Sequence, residues 1–242
     1  MWYNVRYSVK IVFCPYVTKH EETAMKRATL SYAVRPFGFC KSNVFRIPVH
    51  RNTARRAACL LITMALAFSP TMVRAGLLAA WEFNPDDVSG SSVAASRSVV
   101  ANTTGTLVGD ATTAAGFLAL DGSGDYLAFG TDVTGLRGLT AMTICAWVRV
   151  GDTGTIRRRI VEHDDNYYLW QENGKFCFTI HGPGGAYMVS ATSPAVGTWQ
   201  HVTAIWQLNQ SAKLYVNGVS EATINNPTVA MPNTAQHLSF GA

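Results

Sequence analysis

Two short stretches carry the side chains able to do chemistry. Residues 119–130 read ALDGSGDYLAFG, with Asp121 and Asp125 set among glycines. Carboxylates in so flexible a loop can hold a cation, polarise a substrate, or bond to the loop's own amides and turn the chain. As an EF-hand-type calcium loop the stretch fails. Asp121 and Asp125 fit the first and fifth ligand positions, but Tyr126 stands where glycine is required and no Glu closes the loop. A tight turn is expected, with Gly122 and Gly124 supplying unusual φ and the aspartates accepting from backbone N–H groups. A calcium contact by Asp121 or Asp125 is the second reading, and direct contact with a ligand the third.

The other stretch is Glu162-His163-Asp164-Asp165-Asn166, followed by the aromatic run Tyr167-Tyr168-Leu169-Trp170. Sugars are held by stacking their C–H faces on aromatic rings and by hydrogen-bonding their hydroxyls to carboxylates and amides. Asp164, Asp165, Asn166, Tyr168 and Trp170 are therefore candidate ligand-binding residues. Strand alternation puts Tyr168 and Trp170 on one face, with Tyr167 and Leu169 on the other. The plainer reading is a polar loop followed by a strand with one packed face.

The elements that must position these groups are strands. From Gly76 onward, short apolar or alternating runs recur between Gly, Asn, Asp and Pro clusters. Strands are expected over 77–83, 106–107, 114–120, 125–129, 142–150, 155–162, 167–171, 176–180, 186–191, 200–207, 212–216, 221–224 and 237–241. Asn173-Gly174 and Asn217-Gly218 each join two such runs. Asn-Gly is a strong hairpin signal, because both turn residues need positive φ. No helical period, heptad or longer repeat is present. Many short antiparallel strands in one domain-sized stretch imply a sandwich or jelly roll.

Charge divides the chain at Ala75. The whole carries +5, but residues 1–75 hold 12 Lys+Arg against 2 Asp+Glu, leaving 8 against 13 for residues 76–242. The part that folds is thus acidic and offers no basic stripe for phosphates, so nucleic acid is not expected as a partner. Arg51, Arg55 and Arg56 precede the apolar run Ala57–Phe68, and Val73-Arg74-Ala75 supplies small residues at −3 and −1. This describes a secretory signal peptide over 49–75, cut after Ala75. The apolar run is too short to span a bilayer, and no membrane span is expected in the mature chain. Residues 1–48 show no sustained periodicity. They read as an unassigned leader, or as the product of a misassigned start with translation beginning near Val49. Export would place Cys145 and Cys177 in an oxidising compartment, either as one disulfide or as two buried thiols.

The stretches GLLAAWEFN, ALDGSGDYLAFG, LTAMTICAWVRV, GTWQHVTAIW and KLYVNGV, in that order, resemble the signatures of laminin G-like jelly-roll domains of the concanavalin A-like lectin/glucanase fold. The resemblance covers residues 76–242. It implies an all-β antiparallel β-sandwich, one that by Ala242 lacks the final strand, so that an edge near Leu77–Phe83 is expected to be unpaired. It permits one calcium ion bound by acidic loops at the rim. It also brings in glucanases, whose retaining chemistry needs two carboxyl groups about 5–5.5 Å apart on one strand. Glu162 and Asp164 share a face, but Asn166 occupies the next position, so no acid–nucleophile pair forms and a glycoside hydrolase is not expected. Trp147 and Trp206 are expected in the core, Trp199 at the sandwich edge, and His201 as a hydrogen-bonded structural histidine. Arg157–Arg159 reads as a solvated charge run or a contact for an anionic glycan. The expectation is a secreted, non-catalytic recognition module for carbohydrate or a cell-surface or extracellular partner. The alternative is a structural or adhesive spacer within a larger extracellular protein.

Overall fold

The computed structural model describes residues 7–14, 76–114, 116–131, 133–182 and 185–241, all within one compact unit. The signal peptide expected over 49–75 lies outside the described residues, as does the rest of the leader apart from residues 7–14.

The strands are β1 (Tyr7–Cys14), β2 (Ala79–Trp81), β3 (Val88–Ser89), β4 (Ser92–Val93), β5 (Arg97–Ser98), β6 (Gly105–Val108), β7 (Thr112–Ala114), β8 (Phe117–Leu120) and β9 (Tyr126–Ala128). They continue as β10 (Ala141–Arg149), β11 (Arg158–His163), β12 (Tyr167–Glu172), β13 (Lys175–Ile180), β14 (Tyr187–Val189), β15 (Trp199–Gln207), β16 (Ser211–Val216), β17 (Val219–Asn225) and β18 (Leu238–Phe240). One sheet runs β17-β16-β15-β10-β1-β2-β5, with β8 on β1 and β7 on β8; the other runs β14-β13-β12-β11-β18-β9-β6-β4-β3. Every described pairing is antiparallel, and the all-β two-sheet sandwich expected from the sequence is what forms.

Alternation explains the core. Met142, Ile144, Ala146 and Val148 of β10, with Val202, Ala204 and Trp206 of β15, point inward, as do Leu169 of β12 and Phe176, Phe178 and Ile180 of β13. Both Asn-Gly turns behave as read: Asn173 and Gly174 have φ of 51° and 66°, and Asn217 and Gly218 have 50° and 78°. The strand expected over 114–120 is instead the end of a hairpin, β7 and β8, made possible by Gly116 at φ 84°.

Four expectations are corrected. Trp147 is not in the core but on the outer face, 39% exposed, beside the His201 ring at 5.2 Å. It shares strand parity with Thr143 and Arg149, and that parity outweighs the ring's hydrophobicity. Cys145 lies in β10 and Cys177 in β13, on different sheets, and no disulfide joins them. The edge expected to be open at 77–83 is paired on both sides, by β1 and by β5. Finally, the stretch read as an unassigned leader contributes a strand, β1, with Tyr7, Val9, Ile11 and Phe13 at every second place. Trp206 is fully buried, and the half-buried Trp199 meets Phe117 edge-on at 5.8 Å. Among the described residues no helix is long and apolar enough to cross a membrane.

Candidate functional site

The DGSGD loop joins β8 to β9 and is organised by one buried carboxylate. Asp125, 4% exposed, accepts from the Asp110 amide through Oδ1 and from the Asp121 amide through Oδ2, each at 2.9 Å. Asp121 Oδ1 accepts from the Ser123 amide at 2.7 Å, and Gly122 and Gly124 take φ of 87° and 76°. The geometry is that of the tight turn. It also brings in a carboxylate that sequence reading missed. Asp110, Asp121 and Asp125 each offer an oxygen, and these lie within 4.8 Å of one another. Calcium–oxygen bonds of about 2.3–2.6 Å allow ligand atoms up to about 5 Å apart, so the donor set fits a hard cation completed by carbonyls and water. Asp110 follows β6 and sits in the loop before β7; the β7–β8 hairpin, with Thr112 opposite Ala119, and the β6–β9 pairing together bring it to the DGSGD loop.

Beside this loop opens a cleft of about 150 Å³, walled by Leu120, Gly122, Gly124 and Asp125 on one side and by Ile156 and Arg157–Arg159 on the other. The arginines have distinct tasks. Arg158 grips Asp152 with both guanidinium nitrogens, at 2.5 and 2.6 Å, and Arg159 pairs with Glu162 at 2.9 Å. Arg157 contacts Glu172 at 3.3 Å and lays its guanidinium over the Trp170 ring, 5.0 Å from the centroid, with its side chain half exposed. Arg157 therefore joins the cleft to the outer face of the second sheet.

On that face the aromatic groups form a row. Trp170 meets Tyr187 at 5.6 Å and Tyr168 at 6.5 Å, and Tyr168 meets His181 at 6.0 Å. Register sets the row: Tyr168 lies opposite Thr179 on β13, and Thr179 opposite Tyr187 on β14. Tyr187 is 54% exposed, whereas Trp170 is covered, 3% exposed, with Nε1 donating to Glu172 at 3.1 Å. The buried Trp170 thus supports the face beneath Arg157 and Tyr187 and presents no stacking surface of its own. Tyr187 did not belong to the expected ligand set, and Arg157 entered only as part of a run read as solvated charge or an anionic-glycan contact. Tyr187 was legible only as one residue of a strand run.

The loop before this row is tied to itself. Tyr168 donates its hydroxyl proton to Asp164 at 2.6 Å and accepts from the Asp165 amide at 3.1 Å; burial, then this bond to Asp164, pushes its phenol up to about 12. Asp165 holds Gln236 at 3.1 Å and faces His181 at 3.7 Å. Asn166 is fully buried, its amide donating to the Asp164 and Thr234 carbonyls at 2.9 and 3.1 Å. It is a loop pin, which removes it from the residues able to meet a ligand. Glu162, raised by burial despite Arg159, is engaged by that arginine, and Asp164 is engaged by Tyr168.

His163 is fully buried on the same strand, edge-on to Tyr167 at 5.4 Å, and burial lowers its basicity below 6.5. The unfolded chain takes up a proton near that pH which the folded chain refuses. Stability is full above about pH 6.5 and falls as the pH drops through it, by up to about 1.4 kcal/mol per pH unit per group, until the folded ring itself titrates. His201, lowered by the same cause, adds a slope of the same sign. Denaturant titrations from about pH 8 to about pH 5 are expected to show this loss, with a shallower slope in His163→Gln. A pH-independent stability over that range would refute it.

A laminin G-type profile described as the concanavalin A-like lectin/glucanases superfamily matches residues 121–242. No curated protein is significantly similar to the chain. Among solved structures, the receptor binding domain of botulinum neurotoxin C/D mosaic serotype superposes with a TM-score of 0.52 at 13% identity, over 67% of this chain and 42% of that one. The botulinum neurotoxin serotype D binding domain gives 0.50 at 14% identity, over 64% and 41%. The superposition thus spans less than half the length of either neighbour, and the likeness is one of fold.

Proposed function

Because the chain belongs to the concanavalin A-like lectin/glucanases superfamily, we propose that it is a non-catalytic recognition module whose ligand is a carbohydrate. The observation that carries this reading is the continuity made by Arg157, which lines the cleft beside the acidic loop and also covers Trp170 next to the exposed ring of Tyr187. A sugar ring stacked on Tyr187 would place its hydroxyls or a carboxylate within reach of a half-exposed guanidinium. Asp164 and Asp165 would act at the far end of the row through their remaining lone pairs. Asp110, Asp121 and Asp125 are the residues that would hold calcium. The ion would fix the loop that forms one wall of the cleft and offer open positions to sugar hydroxyls.

The reading places the module outside the cell or at its surface, reached through the signal at 49–75, with residues 76–242 as the working domain. Structural neighbours that are binding domains agree with a role without catalysis, as does the engagement of Glu162 and Asp164 by other side chains.

The test is a glycan array probed with and without calcium, followed by titration of any ligand found. Tyr187→Ala and Arg157→Ala are each expected to weaken binding about tenfold, or about 1.4 kcal/mol, with the melting temperature nearly unchanged. Silence on the array in both conditions would favour the structural spacer. Sustained release of reducing sugar from β-glucans would replace the binder with a hydrolase.

A further inference from the structure

The first sheet is joined at its centre by a strand drawn from far upstream of the rest of the fold. Among the described residues, β1 is what links β10 and its neighbours β15, β16 and β17 on one edge to β2–β5 and β8–β7, which lie end to end along its other edge. Six residues of β1 stand in register with β10, three with β2 and three with β8. Without it, β10, β2 and β8 would each turn a row of backbone N–H and C=O groups toward an empty slot in mid-sheet.

The match is one of pattern as well as of backbone. Tyr7 and Val9 stand opposite Leu120 and Leu118, and Val9, Ile11 and Phe13 stand opposite Val148, Ala146 and Ile144. All five partners belong to the core. A slip of one residue would bring Ser8, Lys10 and Val12 to those places, two of the three polar, so the observed register is favoured. Residues 15–78 separate β1 from β2 in the sequence.

We propose that the gap between β10 and the β2–β8 flank is a strand-acceptor site, occupied by the chain's own Tyr7–Cys14 and able to take that segment in trans. Its ligand class is an extended peptide with β-branched or aromatic residues at every second position, recognised by addition to two sheet edges at once. A cut between β1 and β2 would break the covalent connection without breaking a described ladder hydrogen bond, and would thereby turn β1 into an exchangeable strand. This inference is independent of the carbohydrate reading and is tested without any glycan.

The full chain is given a specific protease sequence between residues 15 and 75, cut, and passed over a sizing column. The front fragment is expected to co-elute with residues 76–242. A labelled synthetic peptide of the Tyr7–Cys14 sequence, carrying Cys14→Ser, is expected to exchange into the nicked protein on warming and to saturate at one per domain. A peptide of the same composition in scrambled order should not enter. Release of the fragment with an unchanged melting temperature would overturn the proposal. Release with collapse of the domain supports it if added peptide restores the melt, and overturns it if not. Uncut chain carrying Ile11→Pro, which removes a ladder donor, is expected to melt on the order of 10 °C lower and to recover with the peptide. An unchanged melt would again overturn it.

Discussion

Trp81→Ala is expected to destabilise the domain by about 3–5 kcal/mol, the upper range for removing a large aromatic from a packed interior. Trp81 is fully buried in β2 and meets Phe129 and Phe240 edge-on, at 5.2 and 4.8 Å between ring centroids. Those two rings also meet each other at 4.8 Å, so the three form a closed cluster. β2 belongs to one sheet and β18, which carries Phe240, to the other, so the cluster fastens the two layers together. The indole Nε1 also donates to the Thr103 carbonyl at 3.1 Å, and losing that donor adds about 1 kcal/mol. Equilibrium denaturation in urea measures the difference. Trp81→Phe, which keeps an aromatic ring but not the donor, should recover more than half of it. A loss below about 1 kcal/mol for alanine would mean that the layers are not joined at this cluster.

The second large effect separates the two roles of the acidic loop. Asp125→Ala strips acceptors from two amides, those of Asp110 and Asp121, at a buried position. Charge-assisted bonds of this kind are worth about 1.5–3 kcal/mol each, and a loss of about 3 kcal/mol is expected with or without calcium. Asp110 and Asp121 are exposed, and replacing either by alanine should change stability by less than about 1 kcal/mol in the absence of calcium. Under the calcium reading, saturating ion should stabilise the natural chain by about 2.7 kcal/mol at a hundredfold excess over Kd and should lose most of that effect in Asp121→Ala. Thermal melts with calcium and with chelator decide the matter. Equal behaviour of Asp125→Ala and Asp121→Ala would remove the buried carboxylate from its place as organiser of the turn.

The candidate site was legible in part. Carboxylates followed by aromatics drew attention to the loop and strand that carry the aromatic row, and parity separated Tyr168 and Trp170 from Tyr167 and Leu169. Parity names the face of a strand but not what lies over it. Trp170 is on the outer face and still buried, because Arg157, just before β11, and Tyr187 of β14 cover it. Asn166 looked like an exposed loop amide and is instead fixed to Thr234 from a distant segment. Trp147 shows the opposite lesson: the pattern Met142, Ile144, Ala146, Val148 marked it as outward, and the expectation drawn from the family resemblance put it on the wrong side.

By itself the sequence determined the longer strands after Gly76 and their alternation, the two Asn-Gly turns and the turn-forming role of Asp125's loop, but not β1 or the short β3–β5. Each depends on neighbours within a few positions, through φ preference, alternation and local hydrogen bonds. Tertiary structure decided everything that required two remote segments to meet. Asp110 joined Asp121 and Asp125 through the β7–β8 and β6–β9 pairings together, Arg157 came to rest on Trp170, and Tyr7–Cys14 found the middle of a sheet. Those meetings follow from the order of strands across each sheet. Many pairings satisfy the same alternation, and the burial of the whole core selects among them.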